Sequence, residues 1–167
     1  MYIKKNSRSP GIIKTQILVV DDHPIIRNGL AMLIQCQADM NVVAQAGNAA
    51  QAIKAVKKYP IDLAIVDMLF KETTGVQITQ QIRAICPKLI VLIFSMSDQV
   101  LHIQQAFKAG ARGYITKDEL SENIIYAIRR VLQGKTYLSK RLSKMFTTIQ
   151  LSKLLVQLKN PSDSQIE

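Results

Sequence analysis

Ile17-Leu18-Val19-Val20-Asp21-Asp22 decides the reading of this chain. Four apolar residues, three of them β-branched, run on without alternation and stop abruptly at two carboxylates. A strand that is apolar at every position must be buried on both faces, as a parallel strand is when helices cover both sides of its sheet. Pro24 follows where the first turn of a helix tolerates a residue without an N–H, and Asp22 is placed to cap that turn. Ile25, Ile26, Leu30, Leu33 and Ile34 then recur at helical spacing.

The same grammar repeats outward from that stretch. Asn41–Gln45 reads as a second strand, and Asn48 is placed to cap a helix whose apolar face is Ala52, Ile53 and Val56. Leu63–Val66 is another buried strand, again ending in an acid, Asp67. Gly75–Ile85 predicts a helix stopped by Pro87. Leu89–Phe94 is a fourth strand ending at Ser95, and Val100–Ala109 a helix closed by Gly110. Gly113–Thr116 is a short fifth strand followed by Lys117. Ser121 opens a last helix through Leu132, closed by Gly134. Five strands alternating with five helices predict an α/β fold, a doubly wound parallel sheet with helices on both faces.

Residues 138–159 carry a further helical pattern, Leu142, Met145, Phe146, Ile149, Leu151, Leu154, Leu155 and Leu158, with Ser139 as its cap. Asn160-Pro161-Ser162-Asp163-Ser164 reads as a linker. The expected organisation is a basic arm over 1–14, a core domain over 15–134, a helical extension over 135–159 and a polar tail over 160–167.

Composition narrows the class. Of 167 residues, 48% are hydrophobic and 20% charged, which fits a globular domain and excludes a disordered chain. No run approaches the ~18 apolar residues of a membrane span. The two cysteines, Cys36 and Cys86, lie in no CxxC pattern, which argues against zinc and for a reduced, cytoplasmic setting. The net charge of +10 is concentrated at the ends. Residues 1–14 hold four positive charges and no negative one, and residues 133–167 hold six against two. A nucleic-acid contact is one reading of that excess, and a solvated tail and helix face is the other.

Chemistry concentrates at the strand ends. Asp21, Asp22, Asp67, Ser95 and Lys117 each lie at or just past the carboxyl end of a predicted strand. In an open α/β sheet those ends share one edge, where ligands bind. Carboxylates held together raise one another's pKa, and a divalent cation relieves the repulsion. Hard oxygen ligands in a small cluster suit Mg²⁺. A lysine and a hydroxyl beside them suit a phosphoryl group, and a carboxylate in such company can form an acyl phosphate. Taken singly, each residue has an ordinary role: Asp22 as a helix cap, Ser95 as a turn residue, Lys117 as a surface cation. The joint pattern is what points to a site.

With those residues in place, the chain resembles the receiver domains of bacterial response regulators over about residues 16–134. The resemblance rests on VVDDHPIIRNGL, on AIVDM at Asp67, on Gly75 eight residues later, on FSMS around Ser95 and on AGARGYITKDEL. DDHP together with KAGARGYITK is similar to the NarL/LuxR-type subfamily. The resemblance implies a flavodoxin-like five-stranded sheet of order 2-1-3-4-5 with five helices and a C-terminal helical extension. It implies that a sensor histidine kinase phosphorylates Asp67. Mg²⁺ would be bound by Asp22, Asp67 and the backbone carbonyl of Leu69, and by Asp21 through water. Ser95 and Lys117 would contact the phosphoryl oxygens. Tyr114 matches an aromatic that rotates inward on switching, with half-buried packing at the last strand as its plain role. Members of this subfamily form dimers, often through the first and last helices, and control transcription through a helix-turn-helix DNA-binding domain. The present sequence stops where such a domain would begin, and contact with DNA is expected only through it.

Three positions depart from the family pattern. Leu69-Phe70-Lys71 stands where an Asn-Met-Pro-like loop is usual, Asp118 where proline often follows the lysine, and Met96 where a small residue is frequent. The carbonyl of Leu69 is available whatever its side chain, and Met96 is expected to restrict access. Rival readings fit less well. A haloacid-dehalogenase-type phosphatase wants an acid at the place of Leu69. A flavin or nucleotide binder wants a phosphate loop where DDHPII is acidic. A receiver-like module that binds partners without phosphorylation has no need of Asp22, Asp67, Ser95 and Lys117 together.

Overall fold

A computed structural model describes residues 13–145, apart from the side chains of residues 120–122. The sheet contains β1 (Thr15–Val20), β2 (Met40–Ala46), β3 (Leu63–Val66), β4 (Ile90–Ser95), β5 (Gly113–Thr116) and β6 (Tyr137–Leu138). Its order is β2-β1-β3-β4-β5-β6, and every pairing is parallel. The helices are α1 (Pro24–Gln35), α2 (Ala49–Lys58), α3 (Gly75–Ile85), α4 (Val100–Lys108), α5 (Leu120–Leu132) and α6 (Lys140–Met145). The doubly wound sheet and its order 2-1-3-4-5 agree with expectation.

Period-two alternation inside apolar strands sorts the helices into layers. Leu18, Val20, Ala64, Val66, Val91, Ile93 and Tyr114 point to one face, where Ala52 of α2, Ile78 and Ile82 of α3, and Ile103 and Phe107 of α4 cover them. Ile17, Val19, Leu63, Ile65, Leu92, Phe94 and Ile115 point to the other, beneath Leu30 and Ile34 of α1 and Ile124, Ile128 and Val131 of α5. This two-sided burial is why β1, β3 and β4 read as unbroken apolar runs. Full burial of each Ile, Leu or Phe contributes about 1.5–3 kcal/mol.

The structure adds to the reading at the far edge. β6 was not foreseen: two residues are too few for a periodic signal, yet Gly113 pairs with Tyr137 and Tyr114 with Leu138. Gly113 permits the approach, since a β-carbon there would meet Leu92 Cδ1 at 2.8 Å and Tyr137 O at 3.1 Å. Of the helix expected over 138–159, α6 accounts for residues 140–145, Leu138 belongs to β6 instead, Ser139 precedes the helix, and residues 146–159 lie outside the described residues, as does the polar tail. Ser139 does not cap α6 through its side chain, because its buried hydroxyl has no hydrogen-bond partner. Its backbone oxygen accepts from Ser143 N instead (2.9 Å). The basic arm lies outside the described residues except for Ile13 and Lys14.

Two caps separate cleanly. Asn48 caps α2 as expected, its side chain accepting from Gln51 N at 2.9 Å. Asp22 does not cap α1: His23 holds that position and makes no side-chain cap bond. In that turn it is Asp21 whose Oδ1 accepts from His23 N, at 2.8 Å. Among the described residues, no helix is long and apolar enough to cross a membrane.

Candidate functional site

β1, β3, β4 and β5 run parallel, so the residues that follow them emerge at one edge. Register makes this explicit: Val20 pairs with Val66, Val66 with Ile93, and Ser95 with Thr116. Asp21, Asp67, Ser95 and Lys117 therefore belong to one row of strand ends.

Asp67 is 4% exposed and Asp21 2%. Lys117 Nζ donates to both, at 2.8 Å to Asp67 Oδ2 and 2.6 Å to Asp21 Oδ2, and its own side chain is only 6% exposed. One ammonium thus compensates two buried carboxylates, and the balance is incomplete. Burial raises the pKa of Asp67, more than the hydrogen bond and positive charge of Lys117 lower it, and the charge of Asp21 adds to the rise. The other oxygen of Asp67, Oδ1, accepts from Met68 N at 2.7 Å.

Asp22 stands beside this pair. Its Oδ1 is buried and has no hydrogen-bond partner. His23 Nδ1 is 2.8 Å away, close enough for attraction if the ring is protonated, but outside hydrogen-bond geometry. Ligand atoms of Asp21, Asp22, His23 and Asp67 lie within 4.8 Å of one another. That is roughly the diameter of one hard cation's oxygen shell. An unpartnered carboxylate oxygen beside two more carboxylates fits a divalent cation with hard ligands, so these residues suit Mg²⁺.

The remaining expected residues fall around this cluster. Leu69 N approaches Asp67 Oδ1 at 3.5 Å, which brings the backbone of the β3–α3 loop against the acids while the Leu69 side chain stays half exposed. Ser95 is fully buried, and its hydroxyl accepts from Ser97 N at 3.1 Å. Met96 is 72% exposed, so its side chain stands in solvent. Tyr114 is wholly buried rather than half buried, and its hydroxyl donates to Ser97 O at 2.8 Å. The ring already lies inward. Burial raises its pKa, so the phenol is a neutral donor.

Two contributors, Arg27 and His23, escaped the sequence reading, and a third, Gly75, was read only by its spacing. Arg27 Nη1 donates to Asp21 O at 2.6 Å and pins the first acidic turn from helix α1. His23 joins the ligand cluster, and its only sequence signal was its place in DDHP. Gly75 lets the start of α3 lie against the backbone of Asp67. Its spacing from Asp67 was visible, but the reason for it was not.

Comparison with known proteins places the chain in a family. Residues 17–129 match the family described as "Response regulator receiver domain". The chain belongs to that family. As a receiver it is 34% identical over 129 residues to the oxygen regulatory protein NreC of Staphylococcus epidermidis, covering 77% of this chain and 59% of the relative. NreC of Staphylococcus aureus is 31% identical over 149 residues, covering 89% and 69%. The chain thus spans about three-fifths to two-thirds of the length of these relatives. Among solved structures, the receiver is similar to a LuxR-family two-component response regulator from Aurantimonas, with a TM-score of 0.76 and 29% identity, covering 86% of this chain and 99% of that one. It is also similar to the signal receiver domain of the response regulator NarL from Mycobacterium tuberculosis, with a TM-score of 0.69 and 28% identity, covering 74% and 99%. The receiver is therefore of the NarL/LuxR type, a signalling domain of two-component systems.

Proposed function

We propose that this receiver accepts a phosphoryl group on Asp67 from a sensor histidine kinase and acts as a phosphorylation switch. The observation that carries the reading is the buried triad of Asp21, Asp67 and Lys117. A carboxylate oxygen of Asp67 attacks phosphorus, the P–N bond to the kinase histidine breaks, and the imidazole leaves. Lys117 and the Ser95 hydroxyl hold the phosphoryl oxygens. Asp22, Asp67 and the carbonyl of Leu69 would hold Mg²⁺ directly, and Asp21 through water, and the bound ion would supply positive charge beside the transferring group. Hydrolysis of the acyl phosphate at the same site resets the switch.

The output is self-association and, through a DNA-binding domain outside this chain, control of transcription. Exposed apolar side chains on the first and last long helices support a dimer face: Ile25 and Met32 on α1 are 86% and 69% exposed, and Tyr126 on α5 is 56% exposed. Ser95 and Tyr114 are the switch pair, joined through Ser97; with the ring already buried, the change falls on the hydroxyl's bond to Ser97 O and not on an inward rotation. We place the receiver in the cytoplasm, where its kinase partner would present phosphohistidine.

Acetyl phosphate with Mg²⁺ provides the test. Intact mass should rise by one phosphoryl group, removable by hydroxylamine, and Asp67→Asn should abolish it. Equal labelling of Asp67→Asn would overturn the assignment. Sedimentation with and without beryllofluoride checks the dimer, and an unchanged mass across a wide concentration range would remove that part.

A further inference from the structure

The segment after α5 is built onto the loops that flank the acceptor site. Leu138 of β6 pairs with Tyr114, and Leu142 of α6 is fully buried in the same apolar cluster as Tyr114, Ile103 and Phe107. One residue before Leu142, Arg141 spans two loops. Its Nη2 lies 3.1 Å from Asp98 Oδ2 and its Nη1 3.5 Å from Asp118 Oδ2. Asp98 follows Ser97, whose backbone N–H is held by Ser95 and whose carbonyl is held by Tyr114. Asp118 follows Lys117, the cation of the acid cluster. Each anchor of Arg141 is thus one residue from a group tied to the site.

We propose that residues 137–145 form a strap that senses the acceptor site, docked in the unmodified receiver and released when Asp67 carries a phosphoryl group. The proposal rests on phosphorylation of Asp67 as read above. A phosphoryl group that draws the Ser95 hydroxyl away from Ser97 N moves the β4–α4 loop and Asp98 with it. Lys117, turning to the same group, shifts the loop that carries Asp118. The guanidinium is hydrogen-bonded to Asp98 and lies within ion-pair reach of Asp118, so a change in the separation of the two carboxylates breaks at least one of the contacts. Tyr114 loses or re-forms its bond to Ser97 O in the same motion, and Leu142 packs in the cluster that holds that ring. The two ion pairs are half exposed and individually weak, and a six-residue helix has no independent stability. Undocking therefore requires that the loop displacement which breaks these pairs also loosen the packing of Leu142 against the cluster around Tyr114. Binding reciprocity then requires the docked strap to oppose phosphorylation.

Hydrogen exchange on the full chain, with intact mass recorded on the same sample, tests this. Amides of residues 137–145 should exchange about tenfold faster in the sample labelled by acetyl phosphate and Mg²⁺, while those of α2 stay unchanged. Arg141→Ala should speed exchange of the strap in unmodified protein. It should also raise the phosphorylated fraction roughly two- to fivefold at limiting acetyl phosphate, the range set by losing exposed ion pairs. Asp98→Asn removes one anchor without touching the strap and should act in the same direction. Labelling of Asp67 with unchanged exchange at 137–145 overturns the strap and leaves the switch reading intact. Absence of any phosphoryl mass overturns the switch reading and the strap with it. A phosphorylated fraction that stays level or falls in both variants overturns the coupling.

Discussion

Gly75 opens helix α3 directly against the backbone of Asp67: a β-carbon there would overlap the Asp67 carbonyl oxygen and stand 2.8 Å from Met68 Cα. No flexible side chain is available to yield. Gly75 N also donates to Met68 O at 2.8 Å, which fixes the loop between acceptor and helix. Gly75→Ala is expected to destabilise the fold by about 1–3 kcal/mol, as overpacking in a rigid setting does. It should also shift Asp67 and slow labelling by acetyl phosphate. Chemical denaturation and labelling rate check the two effects, and an alanine variant equal to the parent in both would contradict the close approach.

Removing the acceptor carboxylate should stabilise the protein in metal-free buffer. The folded-state pKa of Asp67 is raised above its ordinary 3.8, so the native state holds the proton more tightly than the unfolded chain. Stability from this group is complete below the unfolded value and is lost as pH rises through the folded value. Asp67→Asn should therefore raise the melting temperature at neutral pH by a few degrees, the size of about 1 kcal/mol in a domain like this. The gain should shrink as pH falls toward 4. A gain that grows on acidification would reverse the assigned sign.

Lys117 has the opposite role. Lys117→Met leaves Asp21 and Asp67 buried without their shared cation. Loss of one partner from a buried ion pair costs about 3–5 kcal/mol. The cost should fall at acid pH, where Asp67, whose pKa burial raises, takes up a proton, and denaturant midpoints measured at two pH values test it.

Mg²⁺ should raise thermal stability through Asp22, Asp67 and Leu69 O. A ligand that binds only the native state contributes about 2.7 kcal/mol at one hundred times its dissociation constant. Asp22→Ala should abolish most of that response, because it removes the one carboxylate among the described residues whose buried oxygen lacks a hydrogen bond. A parent protein whose melting temperature ignores Mg²⁺ would count against the site.

Gly113→Ala should disturb the edge of the sheet without touching the acids. Its β-carbon would meet Leu92 Cδ1 at 2.8 Å and Val131 Cγ1 and Tyr137 O at 3.1 Å. The expected cost is roughly 1–3 kcal/mol, with faster hydrogen exchange at Tyr137 and Leu138. Unaltered exchange there would mean that β6 does not depend on this approach.

The sequence by itself determined the layers and the site edge. Apolar runs such as Leu63–Val66, each closed by a polar residue, can be satisfied only by strands buried on both faces, and parallel strands put their ends on one side. That logic alone brought Asp21, Asp22, Asp67, Ser95 and Lys117 to one place. Tertiary structure decided what periodicity cannot encode, namely which atoms meet. Lys117 bridges Asp21 across 96 residues, and Asp22 is left for another partner instead of capping α1. Tyr114 lies fully inside, and Arg141 reaches Asp98 and Asp118 from a helix whose pattern showed only that it was amphipathic. The reason is physical: hydrophobic burial is non-directional and is written residue by residue, whereas hydrogen bonds, ion pairs and close backbone approaches depend on distances between segments that exist only once the chain has folded.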